Sequence, residues 1–155
     1  MVRKGAKMRL GFYVDRTTED ELNSKIYNLL NEAVENNNIS DGCVFYNEVD
    51  FSPSKKKFGT FNSTDIWFFS GTLVVTALSL LPLAKNVVNK IKLVFLYDKA
   101  TMNRGNTGEL LDLLSLSDNI KVVSKDEESE KEFYRLTGKT APPLTEFSAE
   151  QFLKV

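Results

Sequence analysis

The chain has no histidine among its 155 residues. That excludes Ser-His-Asp and Cys-His nucleophile systems, histidine general bases and most transition-metal sites. Acid–base chemistry, if any, falls to carboxylates, lysine or tyrosine. Cysteine occurs once, at Cys43, so there is no intramolecular disulfide framework, and the usage fits a reducing, cytoplasmic setting. The neighbours of Cys43 are apolar, which predicts a small buried core residue rather than a reactive thiol. Net charge is lacking too. Twenty basic residues against twenty-one acidic ones leave −1, so no global field draws the chain to nucleic acid or an anionic membrane. Neither GxGxxG nor GxxxxGK(S/T) occurs, so the standard dinucleotide and P-loop fingerprints are absent; no cofactor and no metal are expected. Residues 8–14 are too short an apolar stretch, and too polar beyond it, for a secretory leader.

What is present is an alternation of short apolar runs and amphipathic segments. Residues 1–7 read as a basic tail, residues 8–14 as a first strand ending in Asp15, and Thr18 to Glu21 as a capping box. Leu22, Ile26, Leu29, Leu30, Ala33 and Val34 then recur on one face of a helix that Asn36-Asn37-Asn38 ends. Residues 43–46 read as a second strand. Residues 47–63 are irregular; Lys55-Lys56-Lys57 reads as a solvated loop rather than a nucleic-acid site, with Phe58 and Phe61 anchoring it to the core.

The longest uncharged run, residues 66–84, approaches the length that spans a bilayer. Ser70, Gly71, Thr72, Thr76, Ser79 and Pro82 are spread through it and its flanks carry no positive bias, so it is read as core. Residues 66–69 are expected as a strand and Ser70-Gly71-Thr72 as a helix start. Residues 73–88 are expected as a buried helix kinked near Leu78 by Pro82, with Asn89-Lys90 ending it. Residues 92–97 form the next strand, closing on Asp98. A polar loop over residues 100–108 and a short helix over 109–114 follow. A strand over 120–123 leads to Ser124, which caps a helix over 126–137 with Phe133, Tyr134 and Leu136 inward and Gly138 at its end. Residues 139–144 suit an edge strand limited by Pro142-Pro143, and Ser148 opens a last helical turn.

This alternation predicts an α/β fold: one Rossmann-like three-layer domain over residues 1–155 with a mainly parallel sheet of five to six strands. With the expected strands ordered 3-2-1-4-5, Asp15 and Asp98 flank the switch point, where ligands of open α/β sheets bind. Gly71 and Thr72 at a helix start can offer free N–H groups to an anion, and Lys99 and Arg104 can hold a phosphate. The bland alternatives are a tight turn, a cap and surface lysines.

From "FFSG", a buried helix and "KLVFLYDKA" through "ELLDLLSLSDNIKVVSKDEESEKEFYRLTG" to "KTAPPLTEFSAEQFL", the order resembles the amino-terminal half of GT-B glycosyltransferases. Tyr97-Asp98 stands where that family has His-Asp, Ser117 to Ser124 matches its next segment, and residues 142–152 resemble its crossing into the second domain. The departures are Tyr97 for the histidine and Asp15-Arg16-Thr17-Thr18 for the glycine-rich turn. The second Rossmann domain is not among these residues. The resemblance implies an acceptor-binding half-site with Asp98 as the acceptor-side carboxylate and Asp15, Gly71, Thr72, Tyr97, Lys99, Arg104 and Ser124 lining the cleft. A sugar acceptor or nucleotide-sugar is the implied ligand, and transfer would need a second domain, a partner chain or a homodimer. The alternatives are a non-catalytic Rossmann-like binding or scaffold module and a receiver-like domain, for which Asp15 and Lys125 are in place.

Overall fold

Six strands form one all-parallel sheet in the order β3-β2-β1-β4-β5-β6 in the computed structural model, which describes residues 8–86, 91–101, 108, 111 and 120–155. The strands are β1 (Arg9–Arg16), β2 (Asp41–Glu48), β3 (Gly59–Asn62), β4 (Gly71–Val75), β5 (Ile91–Tyr97) and β6 (Ile120–Ser124). The α-helices bounded within the described residues are α1 (Glu21–Glu35), α2 (Leu81–Lys85), α3 (Glu127–Thr137) and α4 (Ala149–Lys154). The α/β class and the Rossmann-like sheet are therefore as the sequence predicts.

The central strands are apolar on successive residues, as at Phe12-Tyr13-Val14, Leu73-Val74-Val75 and Leu93 to Tyr97, because both faces of the sheet are covered. Leu10, Phe12, Val14, Val44, Val74, Val94 and Leu96 pack with Ile26, Leu30 and Ala33 of α1 and Phe152 of α4. Tyr13, Phe45, Leu73, Val75, Phe95 and Tyr97 face the other way, toward Ile66, Leu78, Leu81, Ala84 and Phe133. The register makes these layers continuous: Tyr13 lies opposite Phe45 and Val75, and Val75 opposite Phe95. Burying each large side chain contributes about 1.5–3 kcal/mol, which is what fixes the register.

The middle of the chain corrects the sequence reading. Residues 66–69 are not a strand; Ser63–Phe68 is a 3-10 helix. Ile66 and Phe69 are buried while Trp67 and Phe68 are exposed, a three-residue spacing that a 3-10 turn satisfies and a strand does not. The strand comes next, at Gly71–Val75, where a helix start is expected. Its residues, Thr72, Leu73, Val74 and Val75, are buried on both faces and carry no period of their own. Helix follows only as a 3-10 turn, Leu78–Leu80, and α2. Pro82 sits in the first turn of α2, where its missing N–H costs nothing, rather than kinking a long helix. Among the described residues no helix is long and apolar enough to cross a membrane.

Smaller shifts follow the same logic. Asp20, not Thr18, caps α1, accepting from the Asn23 N–H at 2.8 Å. Asp126, not Ser124, caps α3, and Tyr134 of α3 is exposed. Residues 139–144 give only a single bridge, Ser124 to Pro143. An additional strand, β3, lies in the stretch read as irregular; Phe58 stacks on Tyr27 at 5.9 Å, and Phe61 lies 6.0 Å from Phe45 while staying half exposed. Lys57 pairs with Glu35 at 2.7 Å and the Lys56 ammonium lies 4.8 Å from the Tyr27 ring, so two of the three loop lysines are bound to α1. Cys43 is buried, and burial first, then Asp41, pushes its thiol up to about 12. The expectations for residues 1–7, 87–90, 102–107, 109–110 and 112–119 lie outside the described residues.

Candidate functional site

Where β1 and β4 part, at the carboxyl ends of the strands, a cleft of about 510 Å³ opens. In the order 3-2-1-4-5-6 this is the switch point, because β1 leads outward through α1 on one face and β4 through α2 on the other. Asp15 and Thr76 therefore flank it. Asp98, expected as one of the pair, stands one strand further out, at the end of β5, because the strand beside β1 is Gly71–Val75.

Each polar group of the cleft is held by a defined bond. Asp15 accepts from the Asn47 side-chain N–H at 3.1 Å, and Asn47 in turn accepts from the Tyr13 hydroxyl at 2.8 Å. The Thr76 hydroxyl and N–H both donate to the Tyr13 carbonyl, at 3.0 and 3.2 Å. Asn23 donates to the carbonyls of Arg16 and Thr18, at 2.9 and 3.1 Å, and so fixes the loop between β1 and α1. Thr17 is buried under that loop and exchanges hydrogen bonds with the Asp50 backbone, at 2.9 and 2.7 Å. Burial raises the Tyr13 phenol above its ordinary range, although its bonds to Ser63 and Asn47 act the other way, and it stays a donor at neutral pH.

Asp98 is 5% exposed, unlike the solvated strand end that turn chemistry would give. One carboxylate oxygen accepts from the Ala100 N–H at 2.9 Å and the other faces the Lys125 ammonium at 3.5 Å. Lys125 is placed by its own N–H, which donates to the Tyr97 carbonyl at 2.9 Å. The cleft thus brings together Asp15, Asp98, Thr76 and Lys125, with Asp20 and Glu21 at the start of α1.

Four carboxylates line this space against two cations, Arg16 and Lys125. Arg16 is bound to Glu48 and, at 3.0 Å, to Asp50, and Lys125 faces Asp98. The first turn of α1, where a dinucleotide-binding fold presents bare N–H groups to a pyrophosphate, is here capped by Asp20 and preceded by Glu19. The lining therefore carries more carboxylates than cations. Among the described residues no group of three or more His, Cys, Asp or Glu side chains is arranged to hold a metal.

The remaining expected site residues are elsewhere. Gly71 and Thr72 begin β4, at the opposite end of the sheet from the cleft, and present no helix start. Tyr97 points into the core; its hydroxyl donates to Glu132 at 2.5 Å, and burial first, then Glu132, pushes its pKa up. Lys99 lies beside Asp98 but off the cleft lining, its N–H donating to the Ser129 hydroxyl at 3.0 Å. Ser124 is buried, its hydroxyl donating to the Ala141 carbonyl at 2.9 Å. Arg104 lies outside the described residues. Thr76, Thr18 and Asn23 were not legible as site residues: Thr76 falls inside the helix expected over residues 73–88, Thr18 reads as a cap, and no sequence signal marks Asn23. Comparisons of the chain with protein-family models, with curated proteins and with solved structures find no match.

Proposed function

We propose that the cleft binds a neutral, polyhydroxylated ligand and corresponds to the acceptor-binding half of a GT-B-like glycosyltransferase site. The observation that carries this reading is the lining: Asp15, Asp98, Asp20 and Glu21 offer carboxylate oxygens to hydroxyl donors, and both cations are engaged by carboxylates. Sugar hydroxyls suit such a surface, and a diphosphate is repelled by it. Asp98 is the acceptor-side carboxylate, held in place by Lys125 and the Ala100 N–H. Donor binding and transfer belong to a second domain or partner chain, which would close over the cleft and exclude water.

Isothermal titration with a panel of oligosaccharides, and separately with UDP and GDP, tests this. Saccharide binding lost in Asp98→Asn, with nucleotides no tighter than about millimolar, roughly 4 kcal/mol, is the expected result. Micromolar nucleotide binding by this chain alone would overturn it. A second reading, a non-catalytic binding module, is favoured by the engagement of both Asp98 oxygens, one by the Ala100 N–H and the other by the Lys125 ammonium. The two separate on whether added donor-binding domains restore turnover.

A further inference from the structure

Among the described residues, the position beyond β6, where a seventh strand would lie, is half filled. After α3 the chain returns and runs parallel to the carboxyl-terminal end of β6. The Ser124 N–H donates to the Pro142 carbonyl and the Leu144 N–H to the Ser124 carbonyl, both at 2.9 Å. The pairing ends at that one bridge, and neither Pro142 nor Pro143 has an N–H to extend it.

Alternate residues of a strand direct their backbone groups to alternate sides. Lys125 bonds inward, to Tyr97 of β5, and Ser124 bonds outward. Val122 and Ile120 therefore aim their N–H and C=O groups outward with Ser124, and among the described residues neither finds a partner there. Beside them is a groove of about 530 Å³. Its apolar wall includes Val122, Phe133 and Pro143, and it carries three lysines, Lys121, Lys139 and Lys154. Lys121 and Lys139 form no ion pair among the described residues, and Lys154 has only an exposed pair with Glu150 at 2.8 Å. Lys92 adds to the positive field: its ammonium donates to the Leu153 carbonyl at 2.8 Å, and burial together with the charge of Lys121 lowers its pKa.

We infer that this half-filled position is a docking site for an extended acidic peptide segment, which adds to the sheet beside β6. Open ladder groups recognise a peptide backbone, the lysines select acidic side chains, and the apolar wall takes the alternate residues. A nucleic acid would satisfy the lysines and leave the ladder groups and the apolar wall unused. This site is separate from the cleft and does not depend on what the cleft binds.

The test is fluorescence polarisation with a labelled Glu-Val-Glu-Val-Glu-Val peptide on the whole chain, with hydrogen exchange on the saturated complex. Saturable binding is expected, about tenfold weaker in Lys121→Glu/Lys139→Glu at an unchanged melting temperature. It should be lost when alternate peptide amides are N-methylated, and the Ile120 and Val122 amides should gain protection. Any one of five results would overturn the inference: no saturable binding, equal binding of a Lys-Val peptide, equal binding of oligothymidylate, indifference to the lysine variants, or indifference to N-methylation.

Discussion

The two ends of strand β4 are built for different purposes. At its start, Gly71 adopts φ +129°, and a Cβ placed there would lie 2.6 Å from the Arg9 carbonyl oxygen. Arg9 itself lies over the Phe69 ring at 5.7 Å and pairs with Asp41 at 3.1 Å, so this end is closed by contact. At the other end, Thr76 turns its N–H and hydroxyl back onto Tyr13, and the chain leaves the sheet with open space beside it. One end is tight and holds the strand; the other is polar and holds a cleft. A glycine between an apolar run and a strand therefore signals close packing here, whereas polar residues at the switch point line an open cleft.

The comparison breaks most severely in the body of the strand. Leu73 is fully buried between α2 and the sheet, so Leu73→Asp places an unpaired carboxylate in the core. The cost is several kcal/mol against a total stability of about 5–15, and the variant should show no cooperative thermal transition. A wild-type melting temperature would mean that this strand is not in the core. Gly71→Ala comes next. Its methyl group meets backbone rather than a flexible side chain, in a region of φ that favours glycine, and about 1–3 kcal/mol should be lost. Urea unfolding measures that loss. Ligand affinity per folded molecule should stay as in wild type, because the substitution is at the end of the sheet away from the cleft.

Much of this architecture was legible in the sequence. The strands containing Phe12, Val44, Val94 and Val123, helix α1, and the cap of α4 at Ser148 follow from apolar pattern and capping chemistry. Asp15 and Asp98 were legible as cleft residues because polar groups ending apolar runs mark strand ends. The reading failed over residues 66–86 for a physical reason. Two short 3-10 turns, a strand buried on both faces and a short helix are all apolar, and Leu73, Ala77, Leu80, Leu81 and Ala84 fall at helical spacing by coincidence of separate elements. That shift carried Gly71 and Thr72 to the wrong end of the sheet and hid Thr76. Nothing local in the sequence shows that Lys125 meets Asp98; their approach comes from the pairing of β5 with β6.

The polar end can be divided further. Asp98→Asn keeps an oxygen for the Ala100 N–H and loses the charge facing Lys125. Stability should fall by about 1–2 kcal/mol, measured in urea, while saccharide binding is lost. A variant that binds saccharide like wild type would remove Asp98 from the site.

The smallest effect concerns a helix-capping carboxylate that lies off the cleft. Asp126 follows Lys125 at the same end of the sheet, but its oxygen accepts from the Ser129 N–H at 2.8 Å and it does not line the cleft. That backbone bond first, then the Ser129 side chain, holds its pKa below the ordinary value of 3.8, and Lys125 and Lys99 add to the effect. A carboxyl whose pKa is lower in the folded state stabilises the fold above its unfolded value, and that stabilisation is lost as pH falls through the folded value. Asp126 is exposed, so the charge contribution is screened and the cap itself dominates. Asp126→Ala should therefore cost about 1 kcal/mol at pH 7 with ligand affinity unchanged. Asp126→Asn, which keeps the cap without the charge, should cost only a few tenths of a kcal/mol. Urea denaturation at pH 7 and at progressively lower pH measures both. The gap between wild type and Asp126→Asn should close as the pH drops below about 4, since protonation removes the charge that the asparagine already lacks. A gap that stays constant with pH would show that the charge at this cap contributes nothing and that hydrogen-bond geometry alone sets the start of α3.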